Sequence, residues 1–267
     1  MDAFQYANSG NMTYGGSRMG RSPSETLAEY MDCPCRLIPA GSGINDVNQK
    51  YLSVLRYCME HGSTPLLIPV SDRLVSYLVG GMGLNINQVR QSRRSMLWEM
   101  NDASGERIVA DSYQQKAKYM AYKGVNMNDF ENSGMPGVAV NCFSSFISSG
   151  RTNCDVLLAQ VPTGNPWEAF VWLPIGGLNG APDNKQLVAV SRRWNELCGA
   201  VPAVIGYGVA EYFVPRGKPD RQTAMEIAKG HFAICPERAL CMTQSHTVSE
   251  LADTLTKSCV WYIGWKE

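Results

Sequence analysis

One stretch constrains the fold more than any other. Thr64-Pro65-Leu66-Leu67-Ile68-Pro69-Val70 is continuously apolar and lies between two helix signals. A strand without polar alternation is one buried on both faces. Upstream, residues 45–61 carry Val47, Tyr51, Val54, Leu55 and Cys58 at helical spacing, and Gly62 offers a C-cap. Downstream, Ser71-Asp72 caps a helix over 73–79 that stops at Gly80-Gly81. This rhythm reads as α/β.

The neighbouring segments are less regular. Residues 1–22 are rich in Gly, Asn, Ser and Met and read as a flexible arm. Ser24-Glu25-Thr26-Leu27 opens a short helix that Pro34 must end, and 35–39 is a short strand. Helices are expected over 87–100 and from 106 or 111 to 122. Arg90, Arg93 and Arg94 on the first of them read as a solvated face for an acidic partner. The Asn-, Met- and Gly-rich stretch 126–137 is the expected connector, and 138–146 could be a further strand.

The C-terminal part is clearer. Residues 155–161 form a strand, 162–166 a turn, and 167–175 (WEAFVWLPI) the expected return strand. A capped helix over 184–197 follows, then a hairpin, 200–205 and 210–214, around Gly206-Tyr207-Gly208. Asp220 caps a helix over 221–232, and the capping box at 247–250 opens another to 257. Residues 259–265 close the chain as a strand. The fold class is therefore α+β: a mixed or antiparallel sheet with packed helices, preceded by an α/β-like N-terminal half. The division expected is an arm over 1–22, a region over 23–137 and a domain over 138–267.

Composition narrows function. The 267 residues hold 24 basic and 24 acidic side chains, so balanced charge gives no electrostatic case for nucleic acid or an anionic membrane. No apolar run approaches the roughly 20 residues of a spanning helix. The start has neither a basic stretch nor a following apolar one, so a secretory signal is not expected and a cytoplasmic location is. The nine cysteines do not suggest a disulfide framework. Cys33-Pro34-Cys35 lacks the C-x-x-C spacing of redox and zinc motifs. Cys235 and Cys241 with His231 and His246 form the one metal-type cluster worth naming, and the favoured reading of the two cysteines is as buried small apolar residues. No metal and no cofactor is expected.

Several segments together resemble a known family. They are Trp172-Leu173-Pro174-Ile175-Gly176-Gly177, Asn179-Gly180-Ala181-Pro182-Asp183, the 194–201 segment WNELCGAV, Phe232-Ala233-Ile234-Cys235-Pro236, Leu251-Ala252-Asp253 and Trp261-Tyr262-Ile263-Gly264-Trp265. In order and spacing they are similar to the bacterial DUF4253 domain over about residues 155–267. The resemblance implies a fold rather than a chemistry. The family's closing W-x-x-W-D pattern departs here, where Lys266 and Glu267 follow Trp265.

No catalytic residue is assigned. The binding candidates are Trp172, Gly177, Asn179, Asp183, Glu211, His231, Trp261 and Trp265. Gly177 and Asn179 lie in a Gly-rich loop before a helix capped by Asp183, a unit that can cradle an anion. The tryptophans could line a cleft or a partner surface. Glu211 interrupts an apolar strand, and burial there would raise its pKa. His231 precedes Cys235 by four residues, which allows a Cys–His pair. The expected function is a non-catalytic binding protein that meets a protein partner, an immunity or accessory factor. The alternative is a small-molecule binder or hydrolase-like enzyme with its pocket near 176–183. Oligomeric state is left open.

Overall fold

The computed structural model describes residues 21–80, 84–100, 103–215, 217–236 and 240–265. Of the expected N-terminal arm, residues 1–20 lie outside these, as do Lys266 and Glu267. Ser22 already belongs to the fold. It caps α1 (Pro23–Met31) in a reciprocal box with Glu25, with Pro23 in the first turn. The helix ends at Asp32, whose φ of 52° is left-handed, and the chain enters β1 (Cys35–Ile38).

The helix α2 (Ile44–Glu60) buries the expected stripe, Val47 to Cys58, and Gly62 takes positive φ just beyond its end. It leads into β2 (Thr64–Pro69). Four helices follow, each with a side-chain cap: α3 (Asp72–Val79) from Ser71, α4 (Ile86–Glu99) from Asn85, α5 (Gly105–Tyr122) from Ser104 and α6 (Met127–Asn132) from Asn126. A two-stranded ribbon, β3 (Ile147–Ser148) with β4 (Arg151–Thr152), precedes β5 (Val156–Val161). Then come α7 (Ala169–Trp172), α8 (Asn184–Cys198), the hairpin β6 (Val201–Gly206) and β7 (Val209–Phe213), α9 (Arg221–Ile234), α10 (Val248–Lys257) and β8 (Val260–Gly264).

The architecture is α+β around one six-stranded mixed sheet of order β1-β5-β2-β6-β7-β8. Only β2 and β6 run parallel; every other neighbouring pair is antiparallel. Strand β5 lies between β1 and β2, with Ala159 opposite both Cys35 and Leu66. The regions read as 23–137 and 138–267 thus contribute interleaved strands to one sheet. Side-chain alternation splits the apolar interior by face. Leu66, Ile68, Ala210, Tyr212, Trp261 and Ile263 pack on one side with α1, α8, α9 and α10. Leu67, Phe213 and Val260 pack on the other with α2, Phe143 and Phe146.

The structure corrects three expectations. Residues 167–175 are not a return strand: Pro166–Glu168 is a 3-10 turn that runs into α7. Both edges of β5 are already paired, so nothing remains for a return strand to bond. Trp167 and Trp172 therefore lie in the 3-10 turn and in α7 rather than on a strand. Residues 138–146 form no strand, although the Val140 carbonyl accepts from the N–H groups of Cys259 and Val260 beside β8. The connector at 126–137 contains α6, which its Asn126 cap starts.

Candidate functional site

Glu211 is the most unusual side chain of the sheet. It sits in mid-β7, opposite Val204 and Tyr262, and is fully buried. Its Oε1 accepts from the Ser144 N–H at 2.9 Å, the Ser144 hydroxyl at 2.8 Å and the Ser145 N–H at 2.9 Å. Burial pushes the carboxyl pKa up, and these donors offset that only in part. The carboxylate thus fastens the loop carrying Phe143 and Phe146 onto the sheet. On the same side, the Tyr51 ring meets Phe143 edge-on at 5.2 Å and Phe213 at 5.9 Å.

His231 is buried on the opposite side. Its Nδ1 lies 2.9 Å from the Ile227 carbonyl, to which it can only donate, so Nε2 carries the lone pair. The imidazole stacks on Trp194 at 4.4 Å and meets the Trp261 edge at 5.9 Å. Its Nε2 has no hydrogen-bond partner among the described residues. Burial pulls the pKa down to about 4, which keeps the ring neutral.

The sheet therefore separates the two residues. Tyr212, next to Glu211 in sequence, points the other way and stands edge-on to Trp194 at 5.0 Å. Nor does His231 form the pair with Cys235 that their spacing allowed. That thiol donates to the Gly264 carbonyl at 2.5 Å and accepts from the Gly264 N–H at 3.2 Å. The His246 ring instead approaches the Leu240 carbonyl. Among the described residues, no group of three or more His, Cys, Asp or Glu could hold a metal ion.

The 176–183 loop bonds to itself. Gly177 and Asn179 take positive φ, at 81° and 52°. The Gly176 N–H donates to Asn184 Oδ1 and the Gly177 N–H to the Pro182 carbonyl. Asp183 and Gln186 exchange capping bonds, so Asp183 already serves the first turn of α8. Trp172 is half-buried, and its carbonyl accepts from Arg93. Trp261 lies within the core, and Trp265 is buried with its indole N–H on the Ile234 carbonyl. As buried side chains, these two offer a partner no surface.

The arginine helix also departs from expectation. Arg90 makes a two-pronged bond to Asp32, at 2.6 and 2.8 Å. Arg93 is buried and donates to the carbonyls of Tyr30, Met31 and Trp172 while lying over the Tyr30 and Trp172 rings. Arg90 and Arg94 both keep exposed positions, so only Arg93 leaves the expected solvated face.

A cavity of about 430 Å³ opens between α5, α8 and α9, away from the 176–183 loop. Val109, Ala110, Tyr113 and Trp194 line it with Glu106, Arg193, Glu226 and Lys229. At its edge Arg193 pairs with Glu226 at 2.9 Å, and Lys229 pairs with Glu131 at 2.6 Å. No sequence signal pointed here, because α5 and the α8–α9 pair are far apart in the chain.

These features define an α+β protein whose buried ionisable groups are distributed through the fold rather than gathered in a cleft. Residues 157–266 match the family described as Domain of unknown function (DUF4253), so this part of the chain is a DUF4253 domain. No curated protein matches the chain. No solved structure matches it either. The segments that carry the family likeness have structural tasks: Trp194 stacks on His231, Gly199 ends α8 at φ 77°, and Cys235 ties α9 to β8.

Proposed function

We propose that this chain is a non-catalytic binding protein that acts through a protein partner, as an immunity or accessory factor does. The observation that carries this reading is the separation of Glu211 from His231. Catalysis by these groups would need them within hydrogen-bond reach of one substrate. Instead each lies on its own side of the sheet, bonded to the fold. The exposed side chains that support partner binding are aromatic and lie upstream of the DUF4253 segment. Trp98 is 82% exposed at the end of α4, and Tyr122 is 84% exposed at the end of α5 beside the exposed Tyr119. Exposed aromatics of this size are typical anchors of protein interfaces. Within this proposal the protein is bacterial and cytoplasmic and takes neither nucleic acid nor membrane, which its balanced charge supports.

The test is native mass spectrometry of the protein isolated gently from its own cells. A stoichiometric protein partner, lost in a Trp98→Ser/Tyr122→Ser variant, is the expected result. A bare chain, or a partner retained by that variant, overturns it. The cavity favours a second reading, because its volume falls in the range of small-molecule sites and two aromatic rings line it. A low-mass adduct lost in Ala110→Trp would establish that reading instead.

A further inference from the structure

The passage from α1 into β1 holds two of the nine cysteines with one residue between them. Both Cys33 and Cys35 are partly buried, and both pack against the same apolar cluster, so their side chains share a face. Two residues apart, Cα atoms cannot be separated by more than about 7 Å. A disulfide needs about 4.4–6.8 Å between them.

The segment is pinned at both ends. On one side Asp32 is held by the two bonds from Arg90. Arg93 donates to the last carbonyls of α1, from Tyr30 and Met31. On the other side Cys35 pairs with Ala159, and the Pro34 carbonyl accepts from the Gln160 N–H at 2.8 Å. Arg93 is buried, its Nε has no hydrogen-bond partner among the described residues, and its charge acts on Cys33. A fixed, partly accessible thiol pair beside a buried cation is the setting in which cysteines react.

We propose that Cys33 and Cys35 form a reversible dithiol–disulfide pair that exchanges with small-molecule disulfides. The two thiols are unequal. The proximity of the two sulfurs lowers the Cys35 pKa and, with burial, raises that of Cys33. Cys35 is therefore the attacking group. Its thiolate attacks one sulfur of the incoming disulfide, forms a mixed disulfide and expels one thiolate. That thiolate takes up the Cys33 proton. The Cys33 sulfur then attacks Cys35 and expels the second thiolate, which is protonated by solvent. Two protein thiols are oxidised by two electrons, and one small disulfide is reduced to two thiols.

The sequence provides a clean readout. Cleavage after Arg21 and Arg36 releases peptide 22–36, in which Cys33 and Cys35 are the only cysteines. The full-length protein is equilibrated in glutathione buffers of increasing disulfide content, alkylated and digested. The expected product is a peptide two hydrogens lighter than the dithiol, which rises with the disulfide ratio and is reversed by dithiothreitol. Cys33→Ser should stop at a single glutathione adduct on Cys35. Cys35→Ser should react about tenfold more slowly. The wild-type readout stands even if a variant fails to fold. Glutathione adducts without loss of two hydrogens would overturn the proposal. So would a peptide that stays reduced at a ratio that modifies the exposed Cys142.

Discussion

Replacing Glu211 by Gln and by Ala separates what its charge costs from what its hydrogen bonds contribute. A glutamine amide oxygen can occupy the Oε1 position and keep all three donors of Ser144 and Ser145. Alanine leaves both backbone N–H groups buried without an acceptor. Each such group costs about 1–3 kcal/mol, so Glu211→Ala should lose about 4 kcal/mol, with the Ser144 hydroxyl free to turn elsewhere. Glu211→Gln should stay within about 1 kcal/mol of wild type at pH 7. The pH dependence has a definite sign. Folding raises this carboxyl above its ordinary value of 4.5, so the folded chain binds the proton more tightly. Wild type is therefore most stable relative to Glu211→Gln below pH 4.5, and that advantage falls as pH rises through the raised value. Each pH unit of displacement is worth about 1.4 kcal/mol. Urea unfolding of both proteins from pH 4 to 8 measures the difference, in which the other carboxylates cancel. A difference that grows with pH would refute the reasoning. A glutamine variant as damaged as the alanine variant would refute it too.

His231 should act in the opposite sense. Its pKa is lowered from 6.5 to about 4, so its contribution is complete above pH 6.5 and is lost as pH falls toward 4, approaching about 3 kcal/mol. His231→Phe should remove that part of the acid sensitivity in the same titration. A Cβ on Gly105 would meet the Ala189 carbonyl oxygen at 2.2 Å, so Gly105→Ala should destabilise the α5–α8 contact by about 1–3 kcal/mol in thermal or urea unfolding. Trp98→Ser should change stability by no more than about 0.5 kcal/mol, because the side chain is exposed. An unfolding midpoint far below wild type would show that Trp98 supports the fold.

Helices were legible in the sequence where their determinants are local. The Val47–Cys58 stripe, the Asp183–Gln186 box and the Thr247 cap each lie within one element. The β6–β7 hairpin was equally local. The apolar run at 167–175 was misread because a short apolar run suits a strand or a buried helix, and only distant pairing decides. That pairing is the occupation of both edges of β5, by strands roughly ninety and more residues upstream. Glu211 was marked by strand alternation, but its donors sit 66 and 67 residues away and left no trace in the pattern. Trp261 and Trp265 showed their hydrophobicity in the sequence without showing that both faces of β8 are covered. Arg93 was hidden among its neighbours, since one inward arginine in a polar helix has no periodic signature.

The placement of β5 between β1 and β2 bears on how the chain is made. Leu66 finds its partner Ala159 roughly ninety residues later. At the usual 5–20 residues per second, that partner leaves the ribosome about 5–20 s after β2 does. For that interval Leu67 has the α2 stripe to lean on, Leu66 and Ile68 face the other side, and the strand has no partner to bond. Synthesis thus holds an apolar strand edge open, and a chaperone that recognises extended apolar segments has its opportunity there, before the DUF4253 segment arrives to close the sheet.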